Sequence, residues 1–237
     1  LPWPVLKPVP KLVPSRTTRH DRHSGVTGRH RLAVPDPPLV VDGLELRRWA
    51  VGDRDDLVEA WADPEVRRWT AVPDDVDSDA AARWIAGEER RREAGLALDL
   101  VGVAVNDGRL LGEVGLSTFD VQRGAARIGW WVAASERGRG VATSMVRVLT
   151  AWAHAGPLAL RAVVAEVDPA NPASAAVARA AGFRLLSSSP EAPMTTDAVP
   201  PRLVLVSVRP DSEPVTGIEG PVVRASEDLT SEDRPDA

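Results

Sequence analysis

Ala126-Arg127-Ile128-Gly129-Trp130-Trp131-Val132-Ala133-Ala134-Ser135-Glu136-Arg137-Gly138-Arg139-Gly140-Val141-Ala142-Thr143 is the stretch on which the reading of this chain turns. Ile128 to Ala133 is an apolar run of β type that ends in a short polar turn. A glycine-studded loop, Arg137 to Ala142, follows and opens a helix expected to run to about His154, with Val141, Met145, Val148, Leu149 and Trp152 on one face. A strand, a flexible loop and a helix N-terminus together make an anion cradle. Gly138 and Gly140 let the backbone come close to a ligand. The first-turn N–H groups lack partners within the helix and sit at the positive end of its dipole. Such a cradle takes a phosphate or pyrophosphate.

Two common phosphate loops do not fit. A Walker loop requires a Gly-Lys pair followed by Ser or Thr, which this stretch lacks. A dinucleotide fingerprint requires a third glycine where Thr143 stands, and an acidic residue about twenty positions on, where Leu158 to Leu160 are apolar. The spacing Arg137-x-x-Gly140-x-Ala142 instead resembles the pyrophosphate loop of the GNAT acetyltransferases. A second segment strengthens the resemblance. A β-branched strand ends near Val167, a turn with Asp168-Pro169 and Asn171-Pro172 follows, and a small-residue helix stops at Gly182. Asn171-x-x-Ser174-x-x-Val177, closing on Gly182-Phe183, resembles the second cofactor segment of that superfamily. It looks closest to the branch of ribosomal-protein N-terminal acetyltransferases, acting on alanine or serine. The resemblance covers about residues 39 to 209.

Composition narrows the alternatives. The chain of 237 residues is long enough for one domain with a full core, or for two small ones. It has no cysteine, which excludes disulfides, thiolate metal sites and a cysteine nucleophile, and suits a reducing, cytoplasmic setting. Three of the four histidines precede residue 31, so no metal site is expected in the folded part. Prolines at 2, 4, 8, 10 and 14 break the early apolar residues, so neither a signal peptide nor a membrane span is read. Residues 1–38 are rich in proline and basic groups and are expected to be a disordered tail; residues 210–237 are acidic and are expected to be a second one. The basic tail is either a solvated extension or an arm for RNA, ribosome or another anionic surface.

Between the tails, a first strand is expected at Leu44 to Trp49. Asp53 is read as the N-cap of a helix to about Trp61, and a helical turn from Pro64 ends near Trp69. Ser78 or Asp79 caps a helix to about Ala94, stopped by Gly95. Strands follow at about Leu96 to Val105 and Arg109 to Phe119, joined by Asn106-Asp107-Gly108, and two strands close the chain after the small-residue helix. Hairpin order followed by a strand–helix–strand unit implies a mixed sheet with one parallel pair. With the resemblance, the expected fold class is α+β: a mixed, mostly antiparallel sheet, helices on both faces, and a parallel strand–helix–strand cofactor unit. Ligands in such sheets sit beyond the carboxyl ends of the strands, here the mouth between Ala133 and Val167.

The resemblance implies acetyl-coenzyme A as acyl donor and a primary amine, a protein N-terminus or a small molecule, as acceptor. The amides of Gly138, Arg139, Gly140, Val141, Ala142 and Thr143 would hold the pyrophosphate, with Arg137 or Arg139 adding charge. The backbone of Trp131, Val132 and Ala133 would pair with the pantetheine arm. Asn171 would orient that arm, and it also suits an Asx turn ahead of Pro172. Many relatives use a tyrosine as general acid. This chain has no tyrosine, and Ala178 stands where it would fall. Ser174 is the substitute, or else a residue capping its own helix. Glu166 is the candidate base and Glu113 the runner-up; each also fits as a plain strand carboxylate. A site with a weak base suits an α-amine of pKa about 7.7–8 better than a lysine. The loop Asp74, Asp75, Asp77 and Asp79 would either attract a cationic amine or serve turns and caps. Trp61, Trp69 and Trp84 are expected in the core. Two other readings stay open: a non-catalytic acyl-coenzyme A-binding module, and an enzyme acting on aminoglycoside-type drugs. Monomer and homodimer are both compatible.

Overall fold

The computed structural model describes residues 31–188 and 202–210. The basic stretch 1–30 and the acidic stretch 211–237 lie outside the described residues, as does the ribosome arm read on the first of them. Eight strands form one sheet: β1 (Leu39–Val41), β2 (Leu44–Arg48), β3 (Ala97–Ala104), β4 (Leu110–Asp120), β5 (Ala125–Val132), β6 (Ala162–Val167), β7 (Arg184–Ser188) and β8 (Leu203–Val208). Their spatial order is β1-β2-β3-β4-β5-β6-β8-β7. Every pairing is antiparallel except β5 with β6. That parallel pair needs a crossover, supplied by α4 (Val141–Ala155).

Local chemistry explains most boundaries. Asp42-Gly43 joins β1 to β2 with both residues at positive φ, as a two-residue hairpin turn requires; the sequence reading began one strand later, at Leu44. α2 (Pro64–Trp69) is capped by Asp63, and α5 (Pro172–Ala180) by Asn171, each with proline in its first turn. α3 (Ser78–Glu93) is capped by Asp77, whose carboxylate accepts from Ala80 N–H at 2.6 Å; Ser78 and Asp79, the expected caps, lie inside the helix. α1 (Arg54–Ala62) follows Asp53 as expected. The Asp53 side chain, however, does not cap it: it accepts from Ala50 N–H and Arg47, both in front of the helix.

Helices cover both faces. On one, α4 and α5 lie on Leu46, Leu98, Leu100, Val114, Leu116, Ile128 and Val163. Met145 and Leu149 of the expected stripe are fully buried, Val146 and Ala153 join them, and Val141, Val148 and Trp152 pack at the margin. Gly102 and Gly112 make room for Met145, whose Sδ lies 2.7 Å from where a Gly102 Cβ would be. On the other face, α1, α2 and α3 close over Val101, Val103 and a tryptophan cluster. Trp84 meets Trp49 and Trp61 edge-on with centroids 5.5 and 6.0 Å away. Trp61 is in that core, but Trp69 is only half-buried, its indole N–H on Glu65.

The packed body reaches N-terminal of the boundary expected at residue 39. Leu32 is buried. Its N–H donates to the Arg92 carbonyl at 3.0 Å, and its own carbonyl accepts from the Arg92 guanidinium at 2.8 Å.

Candidate active site

A fork opens in the middle of the sheet. β5 and β6 pair only over Ala125↔Ala162, Ala126↔Val163 and Arg127↔Val164, although β5 runs on to Val132 and β6 to Val167. Beyond Arg127 the two strands diverge. β5 keeps its other edge on β4 to the end, and Ala133 N–H still donates to the Leu111 carbonyl at 2.9 Å. Backbone groups alternate sides along a strand. Ala133, Trp131 and Gly129 therefore bond toward β4, while Trp130 and Val132 turn their N–H and C=O groups into the fork. Of the three residues expected to meet a pantetheine arm, Val132 presents its backbone there; Trp130, not singled out from sequence, is its companion. An extended chain with amides can add to such an edge as a strand would.

At the carboxyl end of β5 lies the cradle. The sequence reading placed Val141 and Ala142 in the loop; they are the first residues of α4, and Gly140 is its N-cap. Unlike α2, α3 and α5, this helix has no side-chain cap. Ser144 N–H closes the first turn on the Gly140 carbonyl at 3.0 Å, so the N–H groups of Val141, Ala142 and Thr143 have no intrahelical acceptor. Gly138 and Gly140 stand at φ +76° and +82°, with nothing within 4 Å of where a Cβ would be. An uncapped N-terminus behind two open glycines fits a pyrophosphate. The loop arginines are already engaged. Arg137 pairs with Asp63 at 3.0 Å, and Arg139 with the buried Glu136 at 3.6 Å. Asp63 also caps α2. Partial burial works against ionisation there, but Arg137 and the cap bonds outweigh it and hold its carboxyl below the usual range.

Asn171 and Ser174 stand on the other rim, beyond Val167. The Asn171 side-chain oxygen accepts from Ser174 N–H at 3.0 Å, so the capping role is realised. Its amide NH2 is left as a donor. Ser174 lies in the first turn of α5, half-buried. Ala178, at the place where relatives carry tyrosine, is fully buried against α4 and presents nothing to the fork.

The two candidate bases differ sharply. Glu166 is on the face of β6 turned away from Val163, Ala165 and Val167, and it is bound by Arg127 across the closed end of the fork. Glu113 is on β4, paired in register with Trp131 and Val101, on the sheet face that α1, α2 and α3 cover, and 6 % exposed. Burial first, and the nearby Asp99 carboxylate second, push its carboxyl well above the usual glutamate range; Arg91, Trp131 and Trp49 oppose this without cancelling it. Next along the same sheet face is Gly129, where a Cβ would meet no described residue within 4 Å. It sits in regular register with Gly115, so it marks an open approach and not a bulge. Asp99 and Arg91 were not singled out from sequence. The signal was a charge inside the otherwise apolar run Leu98 to Ala104.

Among the described residues no group of three or more His, Cys, Asp or Glu side chains is placed to hold a metal. No described helix is long and apolar enough to cross a membrane. His154 is buried, with its Nδ1 2.9 Å from the Leu160 carbonyl.

Comparison with known proteins matches residues 43–184 to the acetyltransferase (GNAT) domain. A relative from Bacillus licheniformis, described as uncharacterized N-acetyltransferase p20, is 25% identical over 146 residues, 62% of this chain and 82% of its own. Among solved structures, a putative ribosomal-protein-serine acetyltransferase from Vibrio cholerae superposes with a TM-score of 0.62 at 19% identity, over 74% of this chain and 99% of that one. Mycobacterium smegmatis RimJ in complex with CoA-disulfide gives 0.60 at 23%, over 70% and 81%. With a family match across more than half its length, over β2 to β6, the fork and the cradle, the chain belongs to the GNAT family and is an acetyl-coenzyme A-dependent N-acetyltransferase.

Proposed function

We infer that the acceptor is a primary amine of modest basicity, an α-amine of a peptide N-terminus or a small amine of similar pKa, and that Glu113 is the base that relieves it of its proton. The observation that carries this is the buried Glu113 carboxyl beside the open lane over Gly129, between the acceptor-side helices and the fork. Acetyl-coenzyme A supplies, when bound, the thioester carbonyl that the neutral amine attacks. The chain's own residues do the rest. The amides of Gly138 to Thr143 bind diphosphate charge, and the free edge of β5 at Trp130 and Val132 aligns an extended arm. The Asn171 NH2 orients it by donation, and the Ser174 hydroxyl stands in the first turn of α5 as the donor for a departing sulfur. A thiol pKa of about 8.5 asks little of that donor near neutrality.

A carboxylate far from water is a stronger base than a free one. It is still better matched to an amine of pKa about 7.7–8 than to a lysine near 10.4. Thiol release from acetyl-coenzyme A, measured with short peptides bearing free N-termini, polyamines and aminoglycosides, tests the reading. Turnover is expected with α-amines above lysine side chains. Preference for an aminoglycoside would favour the drug-modifying reading. Tight coenzyme A binding without turnover on any amine would favour the binding module that the missing tyrosine suggests.

A further inference from the structure

The acceptor face holds a second buried carboxyl that the reaction as described leaves unused. Asp99 on β3 is paired in register with Gly115, and Val101 with Glu113. Asp99 and Glu113 are therefore diagonal neighbours on one sheet face, about 7–8 Å apart at the backbone, close enough for their charges to act on each other. Gly115 is where Asp99 rests: a Cβ there would lie 2.5 Å from Asp99 Oδ1. Any side chain at 115 would lift the carboxylate off the strand. Arg91 of α3 holds it from the other side, Nε to Oδ2 at 3.3 Å, with both side chains almost wholly covered. Arg91 is itself fixed. Its guanidinium donates to the Trp84 carbonyl at 3.1 Å and lies over the Trp84 ring at 4.5 Å.

We propose that Asp99 is a positioning residue for the reaction, acting through Glu113: seated on Gly115 and paired with Arg91, its carboxylate faces Glu113 and makes Glu113, once deprotonated, the stronger base. The inference rests on the reading of Glu113 as the base. Two buried carboxyls this close do not both ionise freely. Burial pushes both upward, and each also feels Arg91. The direct contact with Arg91 belongs to Asp99, so Asp99 is the first of the two to lose its proton and Glu113, the last, is the base once deprotonated. The groups facing Glu113 are Asp99 from β3, Arg91 from α3, Trp131 from β5 and Trp49 ahead of α1. Behind them, Glu88 of α3 is buried and faces Asp99, Arg91, Arg92 and Arg48.

The test combines kinetics and spectroscopy on the full chain. In Asp99→Asn, the acidic limb of kcat/KM should move to lower pH by about one unit or more. The plateau kcat should fall as the base weakens, with acceptor KM little changed. Arg91→Gln should move the limb the other way. A limb that stays put in Asp99→Asn, or moves upward, overturns the proposal. A second readout needs no substitution at 91 or 99: carbon NMR of carboxyl-labelled protein, with the Glu113 resonance identified by its loss in Glu113→Gln. Glu113 titrating far above the ordinary glutamate range, in a step that also moves the Asp99 resonance, supports the proposal. Independent titration near about 4.3 overturns it. If the two resonances move together while Glu113→Gln keeps full activity, the base assignment fails and the coupling of the pair stands.

Discussion

Gly140 shows what one missing side chain does here. Its φ of +82° is a conformation that side chains other than glycine reach at a cost of about 1–2 kcal/mol. Its Cβ direction opens onto space, so in the free protein a substitution strains the backbone without clashing. Gly140→Val should therefore lower Tm by only a few degrees. Coenzyme A affinity should fall at least tenfold, because the side chain would project where a diphosphate must approach the amides of Val141 to Thr143. Calorimetry on the folded variant checks this; unchanged affinity would take the loop out of the site. Glu113 makes the complementary point. From sequence it ranked behind Glu166, because both read as strand carboxylates and only the resemblance weighed between them. Burial and ion pairing separate them: Glu166 is held by Arg127 at the fork's closed end, whereas Glu113 makes no ion pair within 4.0 Å to a described residue and is buried on the face that α1, α2 and α3 cover.

At the level of elements, what was legible followed from local rules. Ile128 to Ala133, the two glycines and the apolar helix after them fix strand, loop and helix with no reference to the rest of the chain. The Asn171-Pro172 start and Gly182 stop of α5 are local too. The parallel pair followed from the crossover argument. Its early separation after Arg127↔Val164 did not, since register is set by neighbours on both sides and not by either strand alone. The same holds for Asp63. Its cap role is written in Asp63-Pro64, but its bond to Arg137 joins the acceptor-side helices to the cradle across more than seventy residues. Asp77 in place of Ser78 or Asp79 is a smaller case, a choice between adjacent side chains that only the helix geometry decides.

For the whole molecule, contacts far along the chain draw in residues ahead of residue 39. Proline-rich, basic sequence masked the fact that Leu32 and Val34 pack against the core and that Leu32 bonds Arg92. Burying one leucine is worth about 2 kcal/mol, which is roughly 4–8 °C in Tm for a domain of this size. A chain starting at residue 39 should melt lower by that amount than one starting at residue 31, both ending at residue 210. Equal melting temperatures by differential scanning calorimetry would mean that the Leu32 contact adds nothing. The central claim is that Glu113, buried on the acceptor side of the β5–β6 fork, removes the amine proton. Its direct measurement is kcat for Glu113→Gln and Glu166→Gln in the full chain, with one good acceptor, over a full pH range. Glu113→Gln should lose about 10²–10⁴-fold with coenzyme A affinity kept, and Glu166→Gln should lose far less. Wild-type kcat in Glu113→Gln at every pH would contradict it.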